Sequence, residues 1–222
     1  MLKKNLLVFD IDGTLTDSVA IHQKAFVHAL HEVGVENINT NFKTYLHHTD
    51  SFIAKTIYEK DRNECFSNLK IAQFEASLNR IVQQSAIKEI LGAKHTIALL
   101  EQQTSFGVCY ATGSLLLPAQ YKLESIGIVY SKEQLVASNH IHERENIVQQ
   151  AIQQAAIFYK TKKFNRVISI GDGLWDLHTA NNLGIEFIGI GVSNKEVLFQ
   201  NGMKNHFDDF KEVALNPKIL IE

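Results

Sequence analysis

Asp10 and Asp12 lie two residues apart, directly after the apolar run Leu6-Leu7-Val8-Phe9 and just before Gly13-Thr14. A short apolar run closed by a glycine reads as a buried strand. Its last residues therefore put two carboxylates at one strand end, where like charges repel unless something positive stands between them. A hard cation with oxygen ligands answers that need, and a site with few protein donors suits Mg2+.

Three further segments supply groups that fit one reaction. Thr112-Gly113-Ser114 follows the apolar run Phe106 to Ala111, and Gly171-Asp172-Gly173-Leu174-Trp175-Asp176 follows Val167 to Ile170. Arg144 stands between them, near the start of a long helical stretch. A carboxylate can attack phosphorus and form an aspartyl-phosphate, splitting one hard displacement into two easier ones. A second carboxylate can protonate the leaving oxygen and later take a proton from water. A hydroxyl and backbone amides at a strand-to-helix turn can hold phosphoryl oxygens. Mg2+ and a fixed cation balance the remaining charge.

These groups meet only if their strands lie side by side. Strand-like runs recur at 6–9, 106–111, 128–130, 166–170 and 187–190, with helical periodicity between most of them, as in 94–103 and 143–159. Strands alternating with helices imply a parallel sheet with right-handed crossovers. In such a sheet ligands bind outside the carboxyl ends of the strands, where Asp10, Asp12, Thr112 and Asp172 all fall. The first two strands are too far apart for one crossover. The segment between them reads as helices at 20–32, 50–59 and 67–85, with no convincing strand. It is expected to form a helical insertion that leaves the sheet beside the carboxylates and covers them. The tail from Asn201 is less regular, and Asp208, Asp209 and Glu212 are expected on a solvated helix face.

The motifs Asp10-Ile11-Asp12-Gly13-Thr14-Leu15-Thr16-Asp17-Ser18, Ala111-Thr112-Gly113-Ser114 and Gly171 to Asp176 resemble, in order, the first, second and fourth motifs of the haloacid dehalogenase superfamily. The likeness is to its phosphatase branch, which includes phosphoglycolate phosphatases and beta-phosphoglucomutases. It implies an α/β core with a doubly wound parallel sheet, residues 1–16 and 87–222, and a helical cap, residues 17–86. It further implies Asp10 as nucleophile and Asp12 as general acid/base. Mg2+ would be held by Asp10, the Asp12 backbone carbonyl and Asp172, with Asp176 beside them. Thr112, Gly113 and Ser114 would bind the phosphoryl group. His22, four residues after Ser18 in the hinge, matches a position that contributes to catalysis in the sugar-phosphate mutases. The expected function is Mg2+-dependent hydrolysis of a small phosphomonoester. A phosphoglucomutase-like transferase and a catalytically impaired binding protein of the same fold are the alternatives. A dehalogenase is disfavoured, because that branch lacks a carboxylic acid at the position of Asp12.

One motif departs from the pattern. The family's third motif supplies a Lys before the fourth, but there is none between Glu133 and Phe158. Arg144 is the expected replacement and substrate contact, with Lys122, Lys160 or the cap as reserve sources of charge. Its planar fork differs from a compact ammonium.

Bulk properties narrow the partners. A net charge of −2 gives no basic footprint for nucleic acid. The first apolar run is broken by Asp10 too early for a signal peptide, and no segment approaches a membrane span. Cys65 and Cys109 read as reduced thiols. The adjacent pair His47-His48 and the pair His140 and His142 lack the further ligands a zinc site needs. Trp175 and Phe26 read as packing residues. The expected setting is the cytoplasm and the expected partner a small phosphorylated metabolite, with no nucleic acid or membrane. The oligomeric state is not legible.

Overall fold

The computed structural model describes residues 2–220. Its centre is a parallel sheet whose first strand is β1, Asn5–Phe9. The others are β4, Phe106–Ala111, β5, Leu135–Val136, β6, Val167–Gly171, β7, Glu186–Ile190, and β8, Asn205–Phe207. They lie in the order β5-β4-β1-β6-β7-β8, and every pairing is parallel. The chain moves outward from β1 on one side and then returns to its other side. β1 therefore sits at the reversal of strand order, where a crevice opens at the carboxyl edge.

Alternation along β1 fills both faces of the sheet. Leu7 and Phe9 join one buried cluster, together with Val108 and Tyr110 of β4. Leu6 and Val8 join another, against Ile147, Val148, Ala151 and Ala155 of α6, Arg144–Phe158. Strands covered on both sides read as continuous apolar runs, which is why 6–9 and 106–111 are legible. The remaining core helices are α4, Ala93–Gln103, α5, Leu116–Ser125, α7, Leu174–Leu183, α8, Lys195–Gln200, and α9, Lys211–Leu215.

Residues 128–130 do not form a strand. Val129 is 87% exposed, and β5 is displaced to Leu135–Val136. The edge of β4 is satisfied by side chains instead. Gln134 Nε2 donates to the Val108 carbonyl at 2.9 Å, and the Val108 amide donates to the Tyr159 hydroxyl at 2.9 Å. A further strand at this height would compete for the same groups. In the tail, 205–207 adds β8 to the sheet, and only Glu212 of the three acidic residues falls in a helix.

The segment between the first two long strands is helical: α1, Val19–Glu32, α2, Asp50–Arg62, and α3, Asn68–Val82. Its ends are clipped together by a short antiparallel ribbon of β2, Thr16–Asp17, and β3, Lys88–Glu89. Two-residue strands carry no hydrophobic pattern, so this ribbon is invisible in the sequence. Phe26 of α1 packs edge-on against Phe74 of α3 and against Phe42, with centroids 5.1 and 5.6 Å away. This aromatic group is continuous with the buried cluster that contains Leu7 and Phe9, so the helical layer and the sheet share one core.

The start of α2 docks on the main sheet's loops. The Asp50 amide donates to the Gly113 carbonyl at 2.8 Å, and Thr49 Oγ1 donates to the His142 carbonyl at 2.9 Å. The helical layer is thereby seated over the strand ends that carry the candidate residues.

Candidate active site

Asp10 follows the last residue of β1, where its amide still donates to Ile170 of β6 at 2.9 Å. The ladder thus fixes its backbone, and its side chain is buried. Arg144, the first residue of α6, reaches it. Arg144 Nη2 donates to Asp10 Oδ1 at 3.1 Å and also to Asp176 Oδ1. Asp176 lies in the first turn of α7 and accepts the Gly173 amide through its other oxygen at 3.1 Å. One guanidinium therefore ties the end of β1 to the start of α7.

Asp172 completes an acidic cluster. One carboxylate oxygen from each of Asp10, Asp172 and Asp176 lies within 4.8 Å of the other two. Burial, then Asp176, raises the Asp10 carboxyl to about 7 despite the opposing charge of Arg144. Burial, then Asp176 and Asp10, raises Asp172 well above the ordinary carboxylate range. Three carboxylates against one arginine cannot all stay ionised without a further cation, and Asp172 Oδ1 is buried with no hydrogen-bond partner among the described residues. An oxygen donor set with an orphaned carboxylate oxygen fits a divalent cation. Gly13 permits this closeness. It has φ +83°, and a Cβ there would run into the Asp172 carboxylate.

Asp12 has different partners. Lys122 Nζ donates to its Oδ2 at 2.7 Å, and Ser18 Oγ donates to its Oδ1. Burial raises the Asp12 carboxyl, but the Lys122 charge and these hydrogen bonds outweigh it and hold Asp12 below the usual range. Ser18 occupies the cap position of α1, yet its hydroxyl makes no cap bond. It is diverted to Asp12.

Lys122 is 0% exposed. It also meets His22 Nδ1 at 2.9 Å and Ser114 Oγ at 3.3 Å. An ammonium can only donate, so His22 Nδ1 accepts and its Nε2–H donates to Asp50 Oδ1 at 2.9 Å. Asp50 Oδ2 accepts the Leu115 amide at 3.0 Å. A continuous line of hydrogen bonds thus runs from Asp12 through Lys122, His22 and Asp50 to the loop after β4.

The loop after β4 supplies the last wall. Thr112 is buried, and its Oγ1 accepts the Ser114 amide at 3.1 Å. Gly113 is pressed between the segment just before α2 and the arginine, since a Cβ there would lie 2.5 Å from the His48 carbonyl and 2.7 Å from Arg144 Nη1. His48 stacks on Trp175 with centroids 4.9 Å apart. Asp10, Asp12, His22, Thr112, Gly113, Ser114 and Arg144 all line one cavity of about 140 Å³. Asp172 and Asp176 adjoin it through Asp10. Trp175 and Phe26, read as packing residues from the sequence, also face this cavity.

Sequence reasoning missed Asp50 and the partnership of Lys122 with Asp12. Asp50 reads as an ordinary acidic residue at a helix start. Lys122 carried a signal. Ala119, Lys122, Leu123 and Ile126 are spaced as the apolar face of α5, and a lysine in that stripe must find a buried partner.

The family profile described as haloacid dehalogenase-like hydrolase matches residues 7–190. The chain belongs to this family. Solved structures share the fold of this haloacid dehalogenase-like hydrolase at low identity. CbbY from Rhodobacter sphaeroides in complex with xylulose-(1,5)bisphosphate is 17% identical over 96% of each chain, with a TM-score of 0.71. A predicted phosphatase from Clostridium acetobutylicum is 19% identical over 99% of each chain, with a TM-score of 0.68. A predicted phosphoglycolate phosphatase from Haemophilus somnus is 18% identical over 99% of each chain, with a TM-score of 0.63. No curated protein matches the chain by sequence. Among the described residues, no helix of this hydrolase is long and apolar enough to cross a membrane.

Proposed function

We propose that the protein is a Mg2+-dependent phosphohydrolase that acts on small phosphorylated metabolites through an aspartyl-phosphate on Asp10. The observation that carries this reading is the division between two neighbouring carboxylates. Asp10 faces Arg144 and the acidic cluster, whereas Asp12 faces Lys122 and Ser18. The opposed environments give the two carboxylates different roles. Without a cation Asp10 is the more easily protonated of the two, and a bound cation would offset the charge of the cluster and leave Asp10 ionised for attack, while Asp12 serves the leaving oxygen.

In the first step an Asp10 oxygen attacks phosphorus, the bond to the leaving oxygen breaks, and Asp12, whose proton affinity rises as the negative phosphate of the substrate enters beside it, gives that oxygen a proton. In the second, Asp12 takes a proton from water as the water oxygen attacks phosphorus, which frees phosphate and restores Asp10. Thr112 and the Gly113 and Ser114 segment hold the phosphoryl oxygens. Arg144 orients Asp10 and balances its charge. Mg2+, when bound, offsets charge between nucleophile and phosphoryl group. Asp10, Asp172 and the Asp12 carbonyl would hold it, with Asp176 orienting the surroundings. Residues 17–86 act as a cap that excludes water, and the enzyme works in the cytoplasm.

The relatives' ligands frame the substrate question. The bisphosphate bound to CbbY and the phosphoglycolate named for the Haemophilus somnus protein both carry a second anion. The decisive experiment measures phosphate release from a panel of phosphomonoesters with Mg2+, using Asp10→Asn as the control. Release of free phosphate, rather than movement of the phosphoryl group within a sugar phosphate, separates a hydrolase from a mutase. No release from any monoester, with no binding of beryllium fluoride, overturns the reading in favour of a non-catalytic protein.

A further inference from the structure

The cavity wall facing away from Asp10 is built by the helical layer. Val19, Gln23, Phe26, Phe42 and Ile53 form it, and none carries a charge. The charged groups that line the cavity are already engaged. Arg144 is committed to Asp10 and Asp176, and Asp50 to His22 and the Leu115 amide. The two histidines offer little positive charge to a ligand. His22 has both ring nitrogens in use, and burial, then Arg144, lowers the His48 imidazole below its ordinary value. No lysine lines this cavity among the described residues.

From these groups we propose that the substrates are small monophosphates whose leaving group carries no second anion and presents an apolar face to the Phe26–Phe42 wall. This proposal deepens the phosphohydrolase reading and rests on it. The phosphoryl group takes the polar end, near Asp10 and Thr112, and the rest of the substrate meets an uncharged wall. A second phosphate or a carboxylate there would lose part of its water and gain only the neutral Gln23 amide as a partner, with no opposite charge to offset that loss, which disfavours it. The space agrees, because about 140 Å³ is well below the roughly 300–1,000 Å³ of sites for drug-sized ligands. The wall is also held in place, since Phe26 is fixed edge-on by both Phe42 and Phe74.

Positive charge does exist nearby. Lys43, His47 and His178 line a neighbouring outer groove. The His48–Trp175 stack belongs to the walls of both spaces and stands between them.

The test compares propyl phosphate, 2-carboxyethyl phosphate and propane-1,3-diyl bisphosphate with the intact protein and Mg2+. The kcat/KM for propyl phosphate is expected to exceed that for either anionic analogue by ~10²-fold or more. Gln23→Arg places a cation on an exposed position of the wall. It is expected to shift the ratio of 2-carboxyethyl to propyl phosphate toward the acid by ~10-fold. Because Gln23 is exposed, the variant is expected to melt as the parent does, so the ratio reads the wall alone. A bisphosphate or carboxylate preference in the parent overturns the inference while the phosphohydrolase reading stands, and loss of that preference in Lys43→Ala would place the second anion in the outer groove. An unchanged ratio in Gln23→Arg also overturns it. If none of the three esters nor any other monoester is hydrolysed, the phosphohydrolase reading fails and takes this inference with it.

Discussion

Lys122 Nζ lies 2.7 Å from Asp12 Oδ2, inside the fold and on a helix that otherwise packs with apolar side chains. A buried ammonium is tolerated only when paired and hydrogen-bonded, and this one has Asp12, His22 and Ser114. It fixes the carboxylate that the mechanism needs as acid and base. Lys122→Met keeps the length and removes the charge, so Asp12 loses its partner. Thermal stability should fall, because breaking a buried pair costs about 3–5 kcal/mol. The kcat should fall ~10²-fold or more, and more steeply for alkyl phosphates than for nitrophenyl phosphate, whose leaving group needs no proton. An equal loss for both esters would mean that Lys122 supports the fold alone.

Asp10→Asn separates the nucleophile from the cluster's electrostatics. The substitution keeps size and removes the attacking charge. Turnover should drop at least ~10³-fold, which corresponds to about 4 kcal/mol of barrier. In metal-free buffer at pH 8 the same variant should melt at a higher temperature than the parent, because one of three crowded carboxylates is gone. Near-normal turnover would rule out the covalent mechanism. A lower melting point would rule out the repulsion.

Most of the architecture was legible because β1 and β4 are buried on both faces and read as unbroken apolar runs, and β6 is interrupted only by Ser169. The carboxylate pair was legible because charge directly after such a run has no packing reason to be there. Residues 128–130 misled for the same reason in reverse. Ile128 is buried but Val129 is not, and Gln134 and Tyr159 satisfy the β4 edge that a strand would have used. Side chains that substitute for a backbone ladder leave no periodic trace. The line from Asp12 to Asp50 joins residues far apart in the chain, and only the folded helical layer brings them together.

The acidic cluster also predicts how pH and metal act on stability. The Asp10 carboxyl is raised to about 7 in the folded protein, above its unfolded value. Such a group is protonated in the fold while ionised in the unfolded chain. Its contribution is therefore full below about pH 4 and is lost as pH rises through about 7, with Asp172 shifted in the same direction. In EDTA the melting temperature should decline across that window. Mg2+ should raise it little at pH 5 and by several degrees at pH 8, where both carboxylates can serve as ligands. A Mg2+ effect independent of pH, or none at all, would show that the cluster does not bind the ion.

Arg144 is the last point on which the mechanism turns. It occupies the first turn of α6, where the helix dipole disfavours a cation, so its placement costs something that the contacts to Asp10 and Asp176 must offset. With Arg144→Ala, Asp10, Asp172 and Asp176 face one another without a guanidinium. Activity should fall ~10²-fold or more, since a comparable electrostatic donor is worth roughly 3 kcal/mol. Arg144→Lys should recover part of that loss. An ammonium restores the charge but cannot span both carboxylates as the fork does. The split between parameters is informative. Loss mainly in kcat would mark Arg144 as the group that holds the nucleophile, and loss mainly in KM would mark it as a substrate anchor. Full activity in Arg144→Ala would move the required charge elsewhere, and Lys122 is the only other lysine or arginine that the structure brings to the Asp10–Asp12 pair among the described residues.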